Sequence, residues 1–171
     1  ERVRAIKAAG EYLARMIGDL LEYDRLMTGE VEIQESAFEL EDLLRTLEYM
    51  YREPMRQAGL EFEVVLGGDT FQVVGDRDRI TQILSLLLSN AIKFTPEGEV
   101  LVRLGRDPEA GAEESGRLPL ILEVQDTGIG IARSQQALLF REFSQLGEPG
   151  ISGSAGTGLG LAISRQLAEL M

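Results

Sequence analysis

Apolar residues along the chain follow two periods, and the switches between them mark its elements. Residues 1 to about 28 carry Val3, Ile6, Gly10, Leu13, Ile17, Leu20 and Met27 at alternating spacings of three and four, with Asp24 as the one charged residue in that register. Such a stripe predicts a helix of a coiled coil or helical bundle. Ala9, Met16 and Leu21 widen it, which suits a four-helix bundle. A helix of this kind cannot bury its stripe alone, so it needs a hairpin partner or a second copy of the chain.

Gly29 suits the end of this helix, and VEIQESAF then alternates through Val31 and Ile33 as a short strand. A second helix is predicted from about Glu39 to Ala58, with Leu40, Leu43, Leu44, Leu47, Met50 and Tyr51 on its inner face. Pro54 should kink or break it. After Gly59, LEFEVVLG alternates as a strand, Gly67-Gly68-Asp69 makes a turn, and TFQVV is the expected hairpin partner. Asp76 is placed to cap the next helix. That helix is apolar at Ile80, Ile83, Leu84, Leu87, Leu88 and Ile92, yet Asn90 and Lys93 share one of its faces.

Thr95-Pro96-Glu97-Gly98 reads as a turn and EVLVRLG as a strand. RDPEAGAEESGRLP is polar and rich in Gly and Pro, which predicts an exposed hairpin loop. LILEVQ returns as a buried strand ending at Asp126, and SQQALLFREF is a short helix. Ser144 to Gly156 holds Gly147, Gly150, Gly153 and Gly156 with no Lys or Arg, the composition of a mobile loop, and Gly158 to Met171 is helical. Strands and helices mix without strict alternation. The expected class is α+β: a two-layer α/β sandwich preceded by a bundle helix.

Composition narrows the chemistry. A net charge of −12 weighs against nucleic acid as a partner, because phosphate backbones need basic patches. The chain has no Cys, hence no thiolate metal site, and no His, hence no imidazole base or ligand. No apolar run approaches the roughly 20 residues needed to span a bilayer, so no membrane contact is expected from this stretch. An acidic chain that binds a polyphosphate must do so with local groups and a bridging cation.

Two glycine-rich stretches are candidates. In Asp126-Thr127-Gly128-Ile129-Gly130 the glycines let backbone approach a flat ligand, and an adenine amino group is a suitable donor to the carboxylate; a plain turn is the alternative. Gly156-Thr157-Gly158-Leu159-Gly160-Leu161 runs directly into a helix, whose free N–H groups and dipole favour an anion. It lacks the Gly-Lys-Ser/Thr of a P-loop and the preceding strand of a Rossmann fingerprint. Phe140 and Phe143 flank the short helix, and core packing is their first expectation.

In this order, NAIKFT, DTGIG, FREF and GTGLGLAIS resemble the N box, first glycine box, F box and second glycine box of the ATP-binding domain of sensor histidine kinases, members of the Bergerat superfamily. Val3 to Met27 with EYDRLMTGEVEI resembles the second helix of the family's dimerisation and phosphotransfer hairpin and its exit. The resemblance implies two parts: residues 1–29 as that helix, and residues 30–171 as an ATP-binding catalytic domain whose C-terminal strands are missing. It implies ATP and Mg²⁺ as ligands, with Asn90 on the metal and Lys93 on the phosphates. Asp126 would read adenine against a wall shaped by Gly128 and Gly130. Gly156, Thr157, Gly158, Leu159 and Gly160 would hold the triphosphate side, with Ser144 to Gly156 as a lid. The implied reaction is transfer of the γ-phosphoryl of ATP to a histidine lying outside this chain. Implied partners are a second copy, associating in parallel through the first helix, and a response regulator or receiver domain. The implied location is the cytoplasm, with a parent protein that could be membrane-anchored elsewhere.

Three features depart from the family pattern. Leu86 stands one helical turn before Asn90, where the family usually has Asn and its hydrolysing cousins a Glu base. Gln82, a further turn back, could orient a group but cannot act as a base. The lid segment lacks a basic residue, and the chain lacks a histidine. These departures motivate an alternative: a degenerate, non-catalytic signalling and dimerisation module of the same fold.

Overall fold

The computed structural model describes residues 2–67, 71–107, 119–144 and 156–171. In chain order its elements are α1 (Arg2–Met27), β1 (Ser36–Glu39), α2 (Leu40–Ala58), β2 (Leu60–Leu66), β3 (Gln72–Gly75), α3 (Arg77–Phe94), β4 (Gly98–Arg106), β5 (Leu120–Asp126), α4 (Arg133–Gln136) and α5 (Gly160–Leu170). Their contacts form two compact units, Gln34–Gly130 and Glu1–Ile33 with Ile131–Met171.

In the Gln34–Gly130 unit, β2 pairs in parallel with β4, and β4 pairs antiparallel with β5. Alternation along β4 turns Val100, Val102 and Leu104 inward and leaves Glu99 and Arg103 exposed. The inward face meets Leu43, Leu44, Leu47 and Met55 of α2 and Leu84, Leu88 and Ala91 of α3 in one core. Removing a fully buried leucine such as Leu88 from such a core costs about 2–5 kcal/mol. This is the expected two-layer α/β sandwich.

Several local expectations change. The strand foreseen over VEIQESAF starts only at Ser36, because the N–H of Gln34 is already taken by the Asp76 carboxylate at 2.9 Å. TFQVV does not fold back on β2. Instead β3 pairs antiparallel with β1, and buried Phe71 offers its carbonyl to the N–H of Leu40 at 3.0 Å, fixing the start of α2. Gly68 and Asp69 of the predicted turn, and Thr70 of the predicted strand, lie outside the described residues. Pro54 sits inside α2 without breaking it. The carbonyl that loses its partner is that of Met50, which is exposed and not on the inner face as expected, so water can serve it. Met55 takes the buried place, and the helix ends with Gly59 in the left-handed region.

The β4–β5 hairpin closes where the N–H of Asp107 meets the carbonyl of Pro119 at 3.0 Å. Its loop, 108–118, lies outside the described residues. β5 is half-buried rather than buried, since its alternate residues Ile121, Glu123 and Gln125 lie on the same exposed face of the sheet as Arg103 of β4.

In the other unit, α1 packs on α5, and Leu26, Leu159, Ala162, Ile163 and Leu167 are buried. Half-buried Tyr12, Met16, Asp19 and Tyr23 lead to Leu26 in a second α1 stripe, distinct from the heptad stripe. The heptad residues Val3, Ile6, Leu13 and Ile17 are all more than half exposed (79, 72, 56 and 56 %). Of SQQALLFREF only a single turn, α4, is α-helical; residues 137–143 continue in tighter turns, as in the bond from the N–H of Leu138 to the carbonyl of Gln135 at 2.9 Å. With only Leu138 and Leu139 half-buried, this stretch has too little apolar contact to hold a longer helix. Residues 145–155 of the expected loop lie outside the described residues. Among the described residues no helix is long and apolar enough to cross a membrane.

Candidate nucleotide site

α3 is fixed at its start by Asp76. The buried carboxylate accepts the N–H groups of Asp78 and Arg79, both at 3.1 Å, and that of Gln34 at 2.9 Å. Burial alone would raise its pKa; the three backbone donors and the Arg79 charge outweigh it and hold the carboxyl below the ordinary range. Four turns later α3 delivers Asn90 and Lys93, both half-buried, to its C-terminal end. Burial pushes the Lys93 ammonium below its usual pKa, and its Nζ lies 4.7 Å from the centre of the Phe94 ring. A cation in that condition gains from a nearby anion.

The end of α3 is stitched to the DTGIG loop through backbone. The carbonyl of Phe94 accepts the N–H of Ile129 at 3.1 Å. Gly128 lies so close that a Cβ there would strike the same carbonyl oxygen and come within 2.9 Å of its carbon. Asp126 is exposed at the end of β5, and one of its oxygens accepts the N–H of Gly128 at 2.9 Å. Thr127 ties the loop to β4, its hydroxyl accepting the N–H of Glu99 at 3.0 Å. Asn90, Lys93, Asp126, Gly128 and Gly130 thus belong to one rigidly joined pair of segments. Beside them, the buried hydroxyl of Thr95 has no hydrogen-bond partner among the described residues.

Gln82 and Leu86 precede Asn90 on α3. Gln82 accepts a hydrogen bond from Arg79 at 3.0 Å and stands about 12 Å before Asn90 along the axis. Leu86 is half-buried.

In the other unit the glycine-rich loop is held through Thr157, Gly158 and Leu159. Gly158, at φ 74°, lies backbone to backbone against Phe143, where a Cβ would come within 2.8 Å of the carbonyl carbon. Phe143 itself has φ 56°, a strained value for a bulky residue. Thr157 is buried; its hydroxyl accepts the N–H of Leu159 at 3.3 Å and donates to Asp19 of α1 at 2.6 Å. Leu159 is fully buried and anchors the start of α5. Phe140 and Phe143 are 46 and 60 % exposed, so neither is the core residue expected from sequence. Arg165 of α5 approaches the Phe140 ring at 6.0 Å. One helical turn beyond Asp19, Tyr23 donates its hydroxyl to Glu142 of the FREF stretch. The carboxylate that accepts this bond raises the phenol's pKa.

Asp19 and Tyr23 stand in none of the motifs that mark the site in the sequence, and Glu142 has no assigned role within FREF. The spacing of Tyr12, Met16, Asp19, Tyr23 and Leu26, by fours and threes, was the available signal for a second packed face.

The family described as histidine kinase-, DNA gyrase B-, and HSP90-like ATPase matches residues 75–171. The chain belongs to this family. Its relatives are sensor kinases: the circadian input-output histidine kinase CikA of Synechococcus elongatus is 38 % identical over 99 % of this chain and 22 % of its own length. The autoinducer 2 sensor kinase/phosphatase LuxQ of Vibrio cholerae is 35 % identical over 100 % of the chain and 20 % of its own. The chain therefore spans about a fifth of the length of these relatives. Full-length ShkA, solved in complex with AMPPNP, superposes with a TM-score of 0.81 at 29 % identity, over 99 % of this chain and 33 % of that one. The fold and the ATP-binding character of the chain follow from this membership.

The donor set suits a nucleotide-borne Mg²⁺. Among the described residues no group of three or more His, Cys, Asp or Glu could hold a metal alone. An amide oxygen such as that of Asn90 is a hard, neutral donor of the kind Mg²⁺ accepts when phosphate and water supply the rest.

Proposed function

We propose that this chain binds Mg·ATP and forms the catalytic portion of a two-component sensor histidine kinase, passing the γ-phosphoryl to a histidine outside it. Residues 1–29 are assigned to the second helix of the dimerisation hairpin and 30–171 to the ATP-binding domain. The observation that carries this reading is the backbone stitch at Phe94, which joins the segment bearing Asn90 and Lys93 to the loop bearing Asp126 and Gly128. Asn90 holds the metal, Lys93 neutralises phosphate charge, and Asp126 accepts the adenine amino group. Gly156, Thr157, Gly158, Leu159 and Gly160 hold the triphosphate. Bound Mg²⁺ would supply charge neutralisation on the phosphates. The chain's own work is positioning, which suits phosphoryl transfer. The exposed heptad stripe supports homodimerisation through α1, and kinases of this kind deliver phosphoryl groups to a response regulator or receiver domain in the cytoplasm.

Leu86 favours a second reading, a non-catalytic signalling module that keeps the fold. Incubation with radiolabelled Mg·ATP and a histidine-bearing phosphotransfer hairpin supplied in trans separates the two. Labelled hairpin supports the kinase; a chain that neither labels the hairpin nor binds nucleotide supports the module. Nucleotide binding without label keeps the site assignments and overturns the transfer.

A further inference from the structure

The Thr157 hydroxyl sits in the loop assigned above to the triphosphate and carries one proton and two lone pairs. The proton goes to Asp19 at 2.6 Å, and a lone pair takes the N–H of Leu159 at 3.3 Å. α5 begins at the next residue and runs 11 residues, so its amino end carries the positive pole of the helix dipole. That pole, with the loop's own N–H groups, is what would attract phosphate. Here the Asp19 carboxylate of α1 is already linked to it through the Thr157 hydroxyl, by two hydrogen bonds in series. The placement is reinforced one turn along the same face of α1, where Tyr23 holds Glu142.

We propose that Asp19 is a built-in electrostatic competitor of the nucleotide phosphates: docked α1 weakens phosphate binding at the Gly156–Gly160 loop. By linkage, bound nucleotide weakens the hold of α1 on α5 to the same degree. The inference rests on the reading that this loop binds phosphate. It makes the position of the dimerisation helix a determinant of nucleotide affinity, through one carboxylate.

Two substitutions separate charge from structure. Asp19→Asn keeps an acceptor for the Thr157 hydroxyl and removes the charge; Asp19→Ala removes both. Calorimetric titration of the full chain with Mg·ADP and with adenosine is the measurement. Asp19→Asn should tighten Mg·ADP about two- to fivefold at low salt, the scale of one charge at a helix end. The gain should shrink at about 1 M salt, where screening acts within a few ångströms. Affinity for adenosine, which has no phosphate, should stay unchanged. Asp19→Ala should tighten Mg·ADP at least as much as Asp19→Asn. Unchanged or weaker Mg·ADP binding in Asp19→Asn, or an equal gain for adenosine, overturns the competition while leaving the nucleotide site intact. A wild type that binds neither ligand overturns the site and the competition together.

Discussion

The carbonyl oxygen of Phe94 accepts the N–H of Ile129 at 3.1 Å, joining the last residue of α3 to the loop that follows β5. Backbone alone makes this joint, so the side chains on either side remain available to a ligand. Gly128 is what lets the two segments close: any Cβ there meets the Phe94 carbonyl. Gly128→Ala should therefore force the segments apart. We expect a loss of about 1–3 kcal/mol in urea unfolding together with weaker binding of Mg·ADP. An alanine variant with wild-type stability would show that the contact is not tight in solution.

Much of this arrangement is legible in the amino-acid sequence. The periodicity of α1, α2 and α3, the Asp76 cap and the ordered glycine motifs are local features, and local physics wrote them into the chain. What failed was pairing. TFQVV has the alternation of a hairpin partner, but Phe71 finds its burial at the start of α2 and carries β3 to β1. Phe140 and Phe143 are aromatic in a short apolar stretch, and nothing local to them indicates that both stay exposed. The bond from Thr157 to Asp19 spans 138 positions, a distance over which a one-dimensional pattern says little.

Lys93 provides a pH signature. Its folded pKa is depressed by burial, whereas the unfolded value is about 10.4. The unfolded chain thus holds this proton more tightly, so the charged lysine opposes folding most below the folded pKa, and stability rises as pH climbs through it. In nuclear magnetic resonance titrations the Lys93 side chain should titrate below the ordinary lysine value. Saturating Mg·ADP should move it upward, because phosphate favours the charged form. A midpoint indifferent to nucleotide would separate Lys93 from the phosphates.

Asp76 makes the opposite contribution. Its folded pKa is lowered, so its stabilisation is complete above the unfolded value of about 3.9 and disappears as pH falls through the folded one. Asp76→Ala removes the α3 cap and leaves the N–H of Gln34 without its acceptor, for an expected loss of about 2–4 kcal/mol at pH 7. The difference between wild type and variant should narrow in acid unfolding as the pH falls through the lowered folded pKa. An undiminished difference there would point to packing, not charge.

The heptad stripe of α1 gives a test of assembly. Leu13 and Leu20 are about half exposed and lie on the face unused by α5. Leu13→Glu with Leu20→Glu should yield monomers in sedimentation equilibrium while leaving the circular dichroism of the sandwich intact. An unchanged mass would place the association elsewhere.

In the proposed function the Asp126 carboxylate reads adenine from the end of β5. Its exposed position and its bond to Gly128 leave the fold little dependent on its charge, so Asp126→Asn should unfold like the wild type. Replacing one carboxylate oxygen by an amide turns an acceptor into a donor facing the adenine amino group. Titration of both proteins with Mg·ADP is the most direct measurement. The expected result is at least about a tenfold weaker affinity for Asp126→Asn, the cost of one lost charge-assisted hydrogen bond. Equal affinities would contradict the assignment.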